Sequence, residues 1–145
     1  MKIKIDFQLS NQFNCLEKII FRFVLKGFRN IKKIVDILPL CSDVVIAKGI
    51  KHLVNQQILE VKKERAELVP SASLLAIMKK CYDNTFNLHI PDSIFSILIN
   101  DNCIIINDFK IKESIISEIL PGVSLGLDFR AIDLILYSKK GMNNE

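Results

Sequence analysis

The sequence lacks any run of about 18 to 20 apolar residues, the length that a membrane-spanning helix requires. Residues Met1 to Phe7 carry a charge at nearly every second position. A signal peptide needs an unbroken apolar stretch at this place, so the pattern excludes one. We therefore expect a cytoplasmic protein.

Closely spaced metal or redox ligands are also missing. Zinc sites and redox pairs generally show short ligand spacings, and no cysteine here lies near another or near His52 or His89. We therefore expect no metal site and no cofactor, and we interpret the cysteines as buried thiols in a reducing compartment. They are Cys15, Cys41, Cys81 and Cys103.

Patterns that carry catalysis are scarce. The sequence shows no glycine-rich phosphate loop and no Ser/His/Asp or Cys/His arrangement. Pro91-Asp92 followed by Asp108-Phe109-Lys110 resembles the active-site pattern of a large nuclease superfamily, where two carboxylates hold Mg²⁺ and the lysine supports the attacking water. These residues are common, and Pro91 equally suits the first position of a helix. We expect no enzyme, with a Mg-dependent nuclease-like module as the weaker alternative.

The net charge of +4 is unevenly distributed along the chain. Residues 1–80 contain 15 Lys and Arg against 7 Asp and Glu, whereas residues 81–145 contain 5 against 9. A basic half joined to an acidic half suggests a polyanion-binding module attached to a part with another task.

Periodicity predicts the elements of the first half. Residues 2–9 alternate between apolar and polar, which indicates a half-buried strand whose partner comes from the second half or from another subunit. Helical spacing predicts helices over 13–26, 30–38 and 42–56, with Asn30 and Ser42 as N-caps and Gly49 allowing a neighbouring helix to approach closely. A hairpin with strands 58–62 and 66–69 and a helix over 73–80 follow.

The composition changes near residue 81, which divides the chain into expected domains 1–81 and 82–145. The second half indicates a small acidic α/β module with strands over 85–90 and 103–107 and helices over 111–120 and 129–138. Periodicity does not decide between helix and strand for 93–99, and we expect the tail 139–145 to be disordered. The expected fold class is α+β.

The order of three helices, a hairpin and a further helix, over about residues 12–80, resembles the winged helix-turn-helix superfamily. In that family a leucine near the end of the third helix is followed by three residues, a glycine, an apolar pair, a charged wing and a return strand. The matching residues are Leu53, Val54-Asn55-Gln56, Gln57, Ile58-Leu59, Lys62 to Arg65 and Leu68-Val69-Pro70. Gln57 departs from the glycine, which is tolerable at a mild cost if the residue is left-handed.

The resemblance implies a DNA-binding protein, either a transcriptional regulator or a DNA-associated accessory protein, whose third helix enters the major groove. It implies base contacts from the outward residues of that helix and phosphate contacts from the wing and the start of the second helix. The expected DNA-binding residues are Arg29, Lys32, Lys33, Val44, Lys48, Lys51, His52, Asn55, Lys62, Lys63 and Arg65. Winged helices also act as protein-docking subunits of larger complexes, and that alternative stays open.

We expect double-stranded DNA and a second copy of the chain as partners. The amphipathic strand 2–9 would leave an edge that seeks another strand, and two-fold pairing on a palindromic site is common for helix-turn-helix proteins. A further protein partner would contact residues 82–140, where apolar content is high for a small module.

Overall fold

The computed structural model describes residues 2–38, 42–83, 86–87, 96, 102–122 and 126–138, which form a mixed, α+β arrangement of helices and strands. The elements in chain order are β1 (Lys2–Leu9), α1 (Cys15–Leu25), α2 (Ile31–Ile37), α3 (Asp43–Asn55), β2 (Leu59–Lys62), a 3-10 turn (Lys63–Arg65), β3 (Glu67–Pro70), α4 (Ala72–Asp83), β4 (Phe86–Asn87), β5 (Cys103–Ile106), α5 (Phe109–Ile119) and β6 (Ile132–Ser138). Most of the expected strand 85–90, nearly all of segment 93–99, the tail 139–145, and Cys41, His89 and Asp92 lie outside the described residues.

The chain forms two compact units. The helical unit comprises Asn11–Leu75 with Gly126–Asp128, and the sheet unit comprises Met1–Ser10, Ala76–Leu125 and Phe129–Glu145. The expected domains 1–81 and 82–145 divide the chain differently, because β1 belongs to the sheet formed mainly by the second half.

The sheet unit contains four antiparallel strands in the order β4-β1-β6-β5. β1 pairs with β6 from Ile3 opposite Ser138 to Leu9 opposite Ile132, so the partner of the first strand comes from the same chain. The expected alternation is confirmed, since the odd-numbered apolar residues from Ile3 to Leu9 are buried. β1 is paired with β6 along nearly its whole length and with β4 only at Lys2 and Ile3, so a strand from another subunit is not needed as its partner and our first argument for a dimer is weakened.

The helix expected over 129–138 is a strand, β6. Ile132, Leu134 and Leu136 are buried at a spacing of two, but the intervening residues Asp133 and Ile135 are also largely covered. A strand that is covered on both faces is apolar at nearly every position, so its sequence fits helical and strand periodicity equally. The pairing with β1 and β5 decides in favour of the strand.

Lys112 is a fully buried lysine on α5. Its Nζ donates hydrogen bonds to the backbone carbonyls of Phe129 and Ile132 and lies 3.4 Å from Oδ1 of Asp133. The three ammonium protons thus have three acceptors around the start of β6, which is how a buried charge becomes tolerable. The pair of Lys112 and Asp133 connects α5 to β6, a central strand of the sheet.

The cysteines do not share one environment. Cys81 is buried, and desolvation raises the pKa of its thiol to about 12, with a smaller contribution from the charge of Asp6. Cys15 and Cys103 are exposed, so the expectation of buried thiols is wrong for these two. Cys103 shares its side of β5 with the half-exposed Ile105, and Cys15 shares its side of α1 with the partly exposed Ile19.

None of the helices in the described part of the chain combines the length and apolar character needed to span a bilayer. Within the same residues, no three His, Cys, Asp or Glu side chains come together in a group that could hold a metal ion.

Replacing Lys112 should severely destabilise the sheet unit. We expect Lys112→Met, which keeps the apolar stem but removes the three donors, to lower the free energy of unfolding by about 3–5 kcal/mol because Asp133 is left buried and unpaired. Lys110→Met on the exposed side of the same helix should change it by less than about 0.5 kcal/mol. Urea titrations followed by circular dichroism measure both, and equal effects would show that the buried pair contributes nothing.

Candidate nucleic-acid interface

The sequence of α3 explains where the helix begins and which side of it is buried. The Ser42 hydroxyl accepts the backbone N–H of Val45 at 3.2 Å, which caps the start of the helix as expected. Ile46, Gly49 and Leu53 are buried on one side. A Cβ at position 49 would lie 3.5 Å from Cγ of Glu17 on α1, so the glycine allows the close helix approach that the sequence predicted.

Glu17 connects α1 to α3, a role that was not recognised from the sequence. It is buried although it is charged, and its Oε1 accepts the backbone N–H of Asn14 at 2.9 Å in a reciprocal capping box. Its Oε2 forms a short contact with Nδ1 of His52 on α3. The signal in the sequence is the Asn14-x-x-Glu17 spacing, which identifies the cap but not the contact with α3.

The opposite side of α3 is a solvent-exposed stripe, called here the reading stripe. Its members recur at spacings of three and four residues, which places them on one helix face. They are Val44, Ala47, Lys48, Lys51 and Asn55. Four of them were expected from the sequence, whereas Ala47 was missed because a small residue carries no charge or hydrogen-bonding signal.

His52 does not belong to the reading stripe. Its ring nitrogen faces the Glu17 carboxylate, and its ring lies over Phe13 with 5.0 Å between ring centroids. The side chain is therefore engaged within the helical unit although it is 43% exposed, and its role in base reading stays a prediction. Its partners lie about 35 and 39 residues earlier in the sequence, so only the folded chain reveals them.

The hairpin of β2 and β3 is joined to α3 by a left-handed residue. Gln57 has a φ of 61°, the conformation in which the resemblance places a glycine, and Ile58 N–H donates to the Leu53 carbonyl at 3.1 Å. Leu59 then pairs with Pro70 and Lys62 with Glu67. Ala66, with a φ of 49°, turns the chain into β3. The hairpin therefore starts where the sequence placed it, without glycine at either turn.

The cations at the hairpin tip differ in their surroundings. Lys62 lies 4.0 Å from Glu60, and Arg65 lies 3.5 Å from Glu67. Both ion pairs are exposed and therefore weak, so each cation remains able to exchange its partner for a phosphate. Lys63 is exposed and has no ion-pair partner among the described residues.

The start of α2 is hydrogen-bonded to the hairpin. Ile31 N–H donates to the Ala66 carbonyl at 2.9 Å, and Leu68 N–H donates to the Arg29 carbonyl at 2.8 Å. These bonds place the exposed side chains of Lys32 and Lys33 within one turn of the hairpin contact. The sequence predicted basic residues for DNA binding at the start of α2, on α3 and on the hairpin. The first and the last of these groups are thus brought together.

Arg29 is partly occupied by a structural contact. Its Nε donates to the Val24 carbonyl at 3.2 Å, near the end of α1, where a cation also offsets the partial negative charge of the helix terminus. The side chain is half-buried. This arrangement gives Arg29 a capping role and weakens the expectation that it holds a phosphate.

The charge difference between the halves is smaller when it is counted by compact unit. The helical unit contains 11 Lys and Arg and 7 Asp and Glu, a net of +4, whereas the sheet unit contains 9 of each. Lys2, Lys4, Lys79 and Lys80 account for the change, because they belong to the sheet unit. The case for a polyanion partner therefore depends on where the cations of the helical unit lie.

One residue of the nuclease-like pattern has a structural role in the described part of the chain. The side chain of Asp108 accepts the Ile111 N–H at 3.1 Å as the N-cap of α5. Lys110 is exposed on the first turn of that helix. Asp108 therefore has a structural role as a helix cap, whereas Pro91 and Asp92 lie outside the described residues, and the nuclease-like alternative stays a prediction.

Comparisons with known proteins do not assign the chain to a family. No protein-family model matches the sequence, and neither a curated protein nor a solved structure is significantly similar to it.

Breaking the contacts of Glu17 should release α3 from α1. We expect Glu17→Ala to lower the free energy of unfolding by about 2–4 kcal/mol, because both the capping box and the contact with His52 are lost. Glu64→Ala, a control at the exposed hairpin tip, should stay within about 0.5 kcal/mol of wild type.

The double variant with His52→Ala separates the two contributions of Glu17. A coupling energy of about 0.5–3 kcal/mol between the two substitutions is expected for side chains in contact. Strict additivity in urea titrations would mean that His52 does not stabilise the position of α3.

Proposed function

We propose that the helical unit is a winged helix-turn-helix module that binds duplex DNA, with α3 in the major groove and the β2–β3 hairpin along the flanking backbone. The observation that carries this proposal is the reading stripe, where Lys48, Lys51 and Asn55 project into solvent from a helix whose other side is buried. A helix is narrow enough to enter the major groove, where lysine can bond guanine and asparagine can bond adenine.

Phosphate binding would come mainly from lysines that have no partner within the protein. Among the described residues, Lys32, Lys33 and Lys63 are exposed without an ion pair, and hydrogen bonds between α2 and the hairpin keep the two elements in one body. Holding these charges in fixed positions lets them follow a phosphate backbone without a large ordering cost. The proposal includes the role of a transcriptional regulator or DNA-associated accessory protein.

Protein docking is the competing function, and one observation favours it. Ile37 and Val45 are about half exposed although they are large and apolar. Such residues suit a protein partner, but single exposed apolar residues are also ordinary on protein surfaces. The charged reading stripe makes DNA the better-supported ligand. A homodimer remains part of the proposal through two-fold symmetry of the site, not through β1.

Binding should be electrostatic and weaken steeply as salt rises. If about three to five of the exposed lysines neutralise phosphates, the slope of log affinity against log salt should be about −3 to −5. Fluorescence anisotropy of a labelled random-sequence duplex, titrated at several salt concentrations, measures it. An absence of binding at low salt would reject the DNA proposal and leave protein docking.

Substitutions should separate phosphate binding from base reading. Lys63→Ala should weaken binding to all duplexes alike and reduce the steepness of the salt slope by about 0.9, since it removes one phosphate contact. Asn55→Ala should cost about 1–3 kcal/mol on a selected site only. The matched control is Lys110→Ala, which removes an equally exposed lysine from the sheet unit and should have no effect. Equal losses for Lys63→Ala and Lys110→Ala would indicate diffuse attraction instead of a defined interface.

A further inference from the structure

We infer that Val44 and Ala47 form a methyl-reading pair that makes the bound duplex one with a thymine at the start of α3. The inference rests on the proposed DNA binding and adds the base class that the module selects. It concerns the first turns of the reading stripe, where two apolar side chains precede two lysines.

Val44 is the most exposed of the large apolar side chains among the described residues. Its side chain is 64% exposed, in the first turn of a helix that is otherwise amphipathic. A β-branched residue is slightly unfavourable in a helix, and an exposed valine contributes no burial to the fold. Local stability therefore does not account for valine at this position, whereas an apolar contact with a ligand does.

The neighbours of Val44 indicate which ligand this is. Lys48 follows it by one helical turn, and Ala47 is followed in the same way by Lys51. Each apolar residue thus has an exposed lysine next to it on the stripe, and neither lysine has an ion-pair partner among the described residues. This charge is complementary to a polyanion and unfavourable for a purely apolar protein partner.

The major groove of DNA offers an apolar group beside negative charge at one base. The 5-methyl group of thymine is the apolar feature of the groove edges, and apolar side chains such as alanine contact it. A small and a medium-sized apolar side chain on adjacent turns leave room for that methyl group. The lysines would then reach a neighbouring guanine edge or phosphate.

The test compares duplexes that differ only in this methyl group. The probes are alternating adenine–thymine and alternating adenine–uracil DNA duplexes of equal length, titrated by anisotropy with the full chain at one salt concentration. Wild type should bind the thymine duplex about fourfold more tightly for each methyl group buried. A guanine–cytosine duplex should likewise gain affinity when its cytosines carry a 5-methyl group at the same place in the groove.

Two alanine variants assign the effect to the reading stripe. Val44→Ala should reduce the thymine preference, because the smaller side chain loses part of the contact with the methyl group, whereas Val45→Ala should leave the preference unchanged. Val45 is also a half-exposed valine, but it lies on the same flank of α3 as His52, outside the stripe. The pair therefore controls for helix propensity and for the small difference in stiffness between the duplexes.

The outcomes separate this inference from the proposed function. Salt-dependent binding with equal affinity for the thymine and uracil duplexes would overturn the methyl-reading inference and leave DNA binding intact. A thymine preference that is undiminished in Val44→Ala, or that falls equally in Val45→Ala, would also overturn it. Binding to neither duplex at low salt would reject the proposed function itself.

Discussion

Pairing between β1 and β6 is the constraint on which the arrangement of the chain depends. Seven residue pairs join the first strand to the last and place both at the centre of the sheet. Nearly all of the helical unit lies in sequence between β1 and the rest of the sheet unit, so it is an insertion into that unit. Because β1 and β6 are far apart in the sequence, bringing them together costs loop entropy and favours slow formation of the sheet. Removing β1 would therefore delete a central strand and not a dispensable arm.

Within the helical unit, the corresponding constraint is the buried carboxylate of Glu17. It accepts a backbone N–H at the start of α1, contacts His52 and packs beside Gly49. One side chain thus fixes the distance between α1 and α3. A buried charge is tolerated here because both carboxylate oxygens have partners. The consequence for function is indirect, since the reading stripe can be presented accurately only if the helix behind it is held in place.

Local signals predicted most of the helical unit, because caps and amphipathic spacing are properties of neighbouring residues. Asn30 and Ser42 cap the helices as expected, and Gln57 adopts the left-handed conformation that its position requires. Long-range pairing was out of reach. The strand β6 satisfied helical spacing equally well, and Glu17 and Lys112 sat in patterns typical of solvent-facing charges. The same reason explains the site: four of the five residues of the reading stripe were found from the sequence, whereas the internal contacts of His52 and Arg29 were not.

The strength of the DNA proposal depends on placement more than on net charge. Counting by sequence halves overstated the asymmetry, because a sheet that joins both ends of the chain brings four lysines of the first half into the sheet unit. The helical unit retains a modest positive charge, and some of its acidic side chains are paired with His52, Lys62 and Arg65. The exposed charges on α2, α3 and the hairpin tip include lysines, interleaved on α3 with valine and alanine, together with the acidic residues Asp36, Asp43 and Glu64. A surface that only repelled aggregation would need the charge but not the exposed valine, and a purely apolar docking surface would need the valine but not the lysines. The combination is the one that a major groove accommodates, since its floor carries methyl groups and its walls carry phosphates.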